Sequence, residues 1–368
     1  MVSGSEALKP KAESRKLKGN SRSQSKKNRR GLNLSEHNHQ PGEFELIATY
    51  FAGLTAQAGV ALGIGDDAAL LDVTPHQQLV VASDTLVENI HFPAASNPQQ
   101  IASRALCVNL SDMAAMGAQP RWFTLALTLP ADNANPEWLA DFSAGLGKVA
   151  NQYGVALIGG DTTSGPLALT LTLLGEAPPG ASLTRAGAKP GETVFVTGTL
   201  GDGAAALNII SNKYNNIIDS DRLLQRFYCP QPQVEAGLIL RSLASACIDI
   251  SDGLVADLGH ICQASGVRAT IETERLPIAD DVQRLSAECA INWALYGGDD
   301  YQLCFTVAAD KLAVVEELIE QCQLDATRIG VINTPLEDGI DSIERVTLID
   351  KNNNFLTIEQ SGYNHFGH

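Results

Sequence analysis

The sequence predicts an α/β protein of two domains with mixed sheets, and three observations carry that prediction. Its 368 residues suffice for two separate cores. Short apolar runs of strand length alternate with longer segments of helical periodicity. A Pro178-Pro179-Gly180 break interrupts the alternation, where a domain boundary is expected. The predicted units are a tail at 1–40, a first domain at 41–178 and a second at 179–368.

The tail differs in kind from the rest. It holds ten Lys/Arg against three Asp/Glu, so of the formal charge of −16 the remainder carries −23. Rich in Ser, Asn, Lys and Arg and lacking apolar periodicity, it reads as a disordered basic arm. It has no apolar stretch of the secretory-signal kind. The acidic body argues against nucleic acid as the main partner, because a phosphate backbone demands Lys and Arg. No apolar run nears the ~18 residues of a membrane span. The seven cysteines are scattered and show no C-x-x-C spacing. They read as small core residues in a reducing compartment, the cytoplasm.

The elements follow in order. Phe44, Ile47, Phe51 and Leu54 recur at helical spacing. Gly63-Ile64-Gly65-Asp66-Asp67 is a turn loaded with carboxylates. Residues 79–82 read as a short buried strand delivering Asp84 at its end. Asn97-Pro98 and Asn135-Pro136 are N-cap and N1 pairs, opening helices to about 116 and about 153. Strands are expected at 123–129, at 155–158 ending in Gly159-Gly160-Asp161, and at 167–174. In the second half, strands are expected at 193–197, 247–250 and 301–307, and helices at 221–228, 234–244, 253–264 and 311–322. Gly198 to Gly203 reads as a strand-to-helix turn, because it lacks the Lys of a phosphate loop and fits G-x-G-x-x-G badly.

Asp66, Asp67, Asp84, Asp112, Asp161, Asp249 and Asp252 all fall close to Gly, Ser or Thr, most of them at strand ends or turns. Strand ends are where α/β folds collect ligand groups. If these carboxylates converge, they repel one another and raise one another's pKa values. A hard divalent cation relieves that repulsion, and an all-oxygen set without His or Cys favours Mg²⁺ over zinc. Taken singly, each is equally well a turn or N-cap residue.

The ordered motifs Gly63-Ile64-Gly65-Asp66-Asp67, Ser83-Asp84-Thr85, Asn109-Leu110-Ser111-Asp112-Met113 and Gly159-Gly160-Asp161-Thr162-Thr163 continue with Leu183-Thr184-Arg185, Asp249-Ile250-Ser251-Asp252-Gly253 and Gly297-Gly298-Asp299-Asp300-Tyr301. As a set, spanning about 42 to 366, they resemble the thiamine-monophosphate kinases of the aminoimidazole-ribonucleotide-synthetase-like superfamily. The resemblance implies an N-terminal α/β domain that dimerises through its sheet and a C-terminal α/β domain closing over ATP. It also implies direct in-line transfer of the γ-phosphoryl group to thiamine monophosphate, with several Mg²⁺ ions. By position, Asp67, Ser83, Asp84, Asp112, Asp161, Asp249 and Asp252 resemble metal ligands. Of these, Asp67, Asp84, Asp112, Asp161 and Asp249 are taken as the catalytic carboxylates. Gly160, Asp161, Arg185 and Ser251 resemble ATP contacts, and His91, Asp299 and Tyr363 resemble substrate contacts. Two residues depart from the pattern. Asp299 stands where the family often has Glu, one methylene longer, so its contact runs through water or is lost. Ala82 stands where a hydroxyl residue often helps hold a metal. Other readings weighed are a sister ATP-dependent enzyme of the superfamily, a noncatalytic metal binder, and an RNA binder led by the tail.

Overall fold

The computed structural model describes residues 43–55, 59–94, 96–211, 220–334 and 343–358. The basic tail and Tyr363 lie outside them. A first helix, α1 (Glu43–Tyr50), follows the predicted periodicity and ends at the buried Phe51. Strands β1 (Val60–Leu62) and β2 (Leu70–Leu71) flank the acidic Gly65-Asp66-Asp67 turn as a small antiparallel pair. Then come β3 (Gln78–Val87), α2 (Pro98–Ala115), β4 (Gln119–Leu129), α3 (Pro136–Tyr153), β5 (Ala156–Ser164) and β6 (Ala168–Ala177). The sheet order is β3-β6-β4-β5, antiparallel except for the parallel β4/β5 pair.

Both long helices begin as their caps dictate. Asn97 accepts the Gln99 backbone N–H while Gln100 reaches back to the Asn97 N–H, a reciprocal capping box. Asn135 accepts from Trp138 at 2.9 Å. Gly154, left-handed at φ 64°, closes α3. The two helices pack on one face of the sheet around Leu106, Leu110, Met113, Phe123, Phe142 and Leu171, all fully buried. Each such side chain contributes about 1.5–3 kcal/mol by leaving water.

The second half runs β7 (Thr193–Thr197), α4 (Asp202–Ile210), α5 (Asp221–Tyr228), α6 (Val234–Leu240), β8 (Ala244–Asp249), α7 (Leu254–Ser265), β9 (Arg268–Glu272), α8 (Asp280–Leu285), α9 (Ala290–Tyr296), β10 (Leu303–Val307), α10 (Ala309–Glu320), β11 (Ala326–Asn333), β12 (Val346–Ile349) and β13 (Phe355–Leu356). Its seven-stranded sheet has the order β13-β12-β9-β11-β7-β10-β8, with only β12/β9 parallel. Mixed sheets with helices packed on them make this the predicted α/β class. The described residues, from Glu43 on, pack as one unit. Helix α2 joins the two sheets, since its Ala114 and Ala115 share a core cluster with Phe195, Leu240 and Phe305. Gly237 permits the contact: a Cβ there would stand 2.1 Å from the Ala114 carbonyl oxygen.

Four expectations need correction. Asp84 and Asp161 lie inside ten- and nine-residue strands, not at strand ends, because pairing with β6 and β4 carries each strand past its apolar stretch. The 79–82 stretch is not buried, with Leu79 and Val81 exposed at 46% and 59%. The helix expected to reach 244 stops at Leu240, and the next strand runs 244–249 rather than 247–250. Cys322 is exposed, so the cysteines are not uniformly core residues. No helix among the described residues is long and apolar enough to cross a membrane.

Candidate active site

Strand alternation sends Ser83 and Asp84 to opposite faces of the first sheet. Asp84 pairs with the buried Leu171, so it faces α2, and its N–H donates to Asn109 Oδ1 at 3.2 Å. Ser83 faces outward and hydrogen-bonds Thr172 Oγ1 at 2.9 Å. Helix α2 supplies Asp112, and the end of β8 supplies Asp249, which accepts from Ser111 Oγ at 2.7 Å.

These groups open on a cleft of about 840 Å³ between the two sheets. Asp84, His91, Asp112, Arg185, Asp249, Ser251, Asp252 and Asp299 all line it. Asp67, Ser83, Gly160 and Asp161 are not among its lining residues. The ladder Asp84–Leu171–Leu125–Gly160 crosses the whole sheet, putting Gly160 three strand spacings, about 14 Å, from Asp84. Asp161, one residue on, points to the outward face with Ala126. Gly160 has a packing reason of its own: at φ 155°, an added Cβ would meet the Leu125 carbonyl oxygen at 1.8 Å. Asp66 accepts the Asp67 N–H and so shapes its turn.

The cleft concentrates negative charge. Burial pushes Asp112 up to about 8, with help from Asp249 and from Asp84, which is also hydrogen-bonded to it. Burial likewise raises Asp249, against the Ser111 hydroxyl that donates to it. Arg185 opposes both shifts. No group of three or more His, Cys, Asp or Glu side chains is assembled to hold a metal among the described residues. What one chain assembles is the Asp84–Asp112 pair with Asp249 as a neighbour. These are hard oxygen donors held against their own repulsion, a set that suits Mg²⁺ better than a softer ion.

Residues that sequence reasoning passed over hold the site in shape. Asp257 on α7 accepts the backbone N–H groups of Ser251, Asp252 and Gly253, each at 3.1 Å, and so fixes the Ser251-Asp252-Gly253 loop. Burial, Asp249 and Asp252 push Asp257 to about 8. Asp300 accepts from Gly201 and Gly203, pinning the start of α4 against the strip that carries Asp299. Arg104 on α2 donates to the His91 and Phe227 carbonyls and to Asp299 Oδ1, the last at 2.6 Å. Tyr301 donates to the same Oδ1 at 3.0 Å. His91 Nδ1 accepts from the Val87 N–H at 2.9 Å, which leaves the ring proton on Nε2. The signal for Asp257 and Asp300 was a carboxylate beside an SDG or GGD turn. For Arg104 there was none.

Burial pushes Asp300 up to about 8, against its two N–H donors. The folded protein therefore holds a proton that the unfolded chain, at about 3.9, has already lost. The stability linked to this group is fully present below about pH 4 and declines as pH rises toward about 8. Urea midpoints should fall less steeply between about pH 5 and about pH 8 for Asp300→Asn than for wild type. Parallel slopes would exclude Asp300 as a contributor.

Residues 65–177 match the N-terminal domain of AIR synthase related proteins, and residues 189–339 match the C-terminal domain. The thiamine-monophosphate kinase of Escherichia coli K12 is 44% identical over 329 residues, covering 88% of this chain and 98% of that one. The crystal structure of thiamine-monophosphate kinase from Stenotrophomonas maltophilia K279a superposes with a TM-score of 0.73 at 44% identity, covering 80% of this chain and 92% of that one. The structure of AaThiL complexed with AMPPCP and TMP gives a TM-score of 0.68 at 30% identity, over 82% of this chain and 92% of that one. The chain belongs to the thiamine-monophosphate kinase family, within the AIR synthase related proteins.

Proposed function

We infer that the protein transfers a phosphoryl group from ATP to thiamine monophosphate and releases thiamine diphosphate. The observation that carries this is the acidic cleft between the two sheets, in a chain 44% identical to a named kinase over 88% of its length. The cleft's volume is in the range of ligand sites. Arg185 lines it as a bidentate donor suited to an ATP phosphate, and Ser251 stands on the loop that Asp257 fixes. His91 and Asp299 also line it and orient the acceptor.

Asp84, Asp112, Asp249 and Asp252 are the residues in the cleft that would hold Mg²⁺. Bound there, the ions supply positive charge that screens two anionic reactants and the charge spread over the transferring group. The chain's own part is positioning: it holds both phosphates in line and excludes water, with no covalent intermediate on the protein. All seven cysteines are free thiols, which supports a cytoplasmic location.

Asp67, Ser83, Gly160 and Asp161 fit the same chemistry through a second copy. They lie outside the cleft of their own chain, while the exposed Leu79 and Val81 on the edge strand β3 offer apolar surface to a partner. A homodimer through this sheet would let each copy complete the other's site. Mixing inactive Asp161→Asn and Asp112→Asn proteins should then restore about a quarter of wild-type turnover, since half the dimers are mixed and each has one intact site. No recovery after subunit exchange would rule out sharing.

The direct test incubates the protein with Mg²⁺, ATP and thiamine monophosphate, with free thiamine as control acceptor. Thiamine diphosphate formed from the monophosphate alone is the expected result. Tight nucleotide binding without product would move the acceptor to a sister enzyme's substrate.

A further inference from the structure

Cys107 and Cys229 stand with their sulfurs 3.9 Å apart, although 122 residues separate them in sequence. Cys107 is buried on α2, and Cys229 is half-buried at the C-terminal end of α5. The pair adjoins the cleft wall, since Val108, next to Cys107, and Phe227, two residues before Cys229, both line the cleft. One turn back on the same face of α2, Arg104 donates to the carbonyl of Phe227, two residues before Cys229. The Arg104 guanidinium also lies 4.0 Å from the centre of the Phe227 ring, and both residues line the cleft. A covalent change at the sulfurs therefore acts on the segment that shapes this wall.

We propose that Cys107 and Cys229 form a redox-responsive dithiol, oxidised to an intramolecular disulfide by a low-molecular-weight disulfide such as oxidised glutathione, and that the cross-link restrains the cleft. Only the second half of this rests on the kinase reading. The accessible Cys229 thiolate attacks one sulfur of the oxidant, forming a mixed disulfide and expelling one glutathione thiolate. Cys107 then attacks Cys229 Sγ, its proton passing to the second departing glutathione. Two protein thiols are oxidised and one small disulfide is reduced to two thiols.

The two cysteines are matched to these roles. The hydrogen bond with Cys107 and the charge of Lys148 bring the Cys229 thiol to about 7, despite partial burial, so a large share is thiolate near neutrality. The same hydrogen bond and full burial hold Cys107 well above the ordinary thiol range, making it the resolving partner rather than the attacker. Burial also raises Cys247, Cys262 and Cys304, which keeps them inert. Closing the bond draws the sulfurs together by about 2 Å, to the ~2.05 Å of a disulfide. That shift is passed to Phe227 and Arg104, and displacements of about 1 Å at positioning groups cost up to about 10²-fold in rate.

The test uses the full chain carrying Cys322→Ser, which removes the exposed thiol, equilibrated in glutathione buffers of graded ratio. Non-reducing peptide mapping and thermal melting read the cross-link without any activity. Steady-state assays with ATP and thiamine monophosphate read its consequence. Expected are one Cys107–Cys229 linked peptide, a raised Tm, and a fall of about tenfold in kcat/KM that tracks the linked fraction and reverses with dithiothreitol. Cys229→Ser should match the reduced protein's activity and ignore the buffer. Absence of the linked peptide, a linked protein with unchanged kinetics, or equal inactivation of Cys229→Ser would each overturn the proposal. A reduced protein without turnover would instead count against the kinase reading, while mapping and melting still decide whether the dithiol forms.

Discussion

Replacing Asp112 with Asn will lower turnover by about 10³-fold or more and leave the protein folded, a loss of at least about 4 kcal/mol of transition-state stabilisation. Asn keeps the shape of the side chain on α2 and can still bond Asp84, so packing is preserved. What disappears is one negative charge at the point where Asp84, Asp112 and Asp249 meet. In the metal-free protein that charge is a burden, as the displacement of Asp112 to about 8 shows. On the proposed reading, with Mg²⁺ bound, it would serve as a ligand for the ions that screen the two phosphates. The same substitution should therefore move two measurements in opposite directions. Above about pH 8, where Asp112 is ionised, the metal-free variant should melt no lower than wild type, because a buried repulsion has been removed. Wild type should gain Tm on adding Mg²⁺ and ATP, since ligands that bind only the folded state stabilise it, and the variant should gain much less. A variant with near-native kcat and an unchanged Mg²⁺ dependence would show that Asp112 is no ligand.

The parts of this protein legible in its sequence are those set by local chemistry. Asn97-Pro98 and Asn135-Pro136 announce α2 and α3 because a cap satisfies backbone groups within the same turn. The SDG and GGD turns could be located because Gly253, at φ 121°, and the carboxylates around it are a local backbone requirement. What failed depends on distant partners. Strand β3 runs to Val87 because ten residues of β6 pair with it and carry it across the polar Ser83-Asp84-Thr85 stretch. Asp84 and Asp161 share a Gly- or Ser-flanked setting, yet only the strand order β3-β6-β4-β5 reveals that they stand near opposite edges of one sheet. Ser111 meets Asp249 across 138 residues, and Cys107 meets Cys229 across 122. Neither pairing leaves a trace in spacing or periodicity.

Arg104→Met should destabilise the protein by about 3 kcal/mol or more and raise KM for the phosphate acceptor, leaving nucleotide affinity nearly unchanged. The guanidinium is 2% exposed and spends its donors in three directions: the His91 carbonyl, the Phe227 carbonyl and Asp299 Oδ1. Burial alone would lower its pKa, but Asp299, with help from Tyr301 and Tyr228, more than offsets this and keeps it charged. Met fills the aliphatic space and removes the charge, so two buried carbonyls lose a donor and Asp299 loses its counter-ion. Asp299 is already held in a left-handed backbone conformation, at φ 69°. Its direction therefore depends on what grips it, which is Arg104 and the Tyr301 hydroxyl. Losing that grip misplaces the part of the cleft proposed to face the acceptor, while Arg185 and Ser251, on other elements, keep their places. Arg104→Lys separates charge from geometry. A lysine restores the positive charge and part of the stability, but a point donor cannot serve three acceptors in a plane. The lysine variant should consequently recover Tm more fully than KM. Recovery of both to wild-type values would mean that any buried cation suffices and that the fork of Arg104 orients nothing.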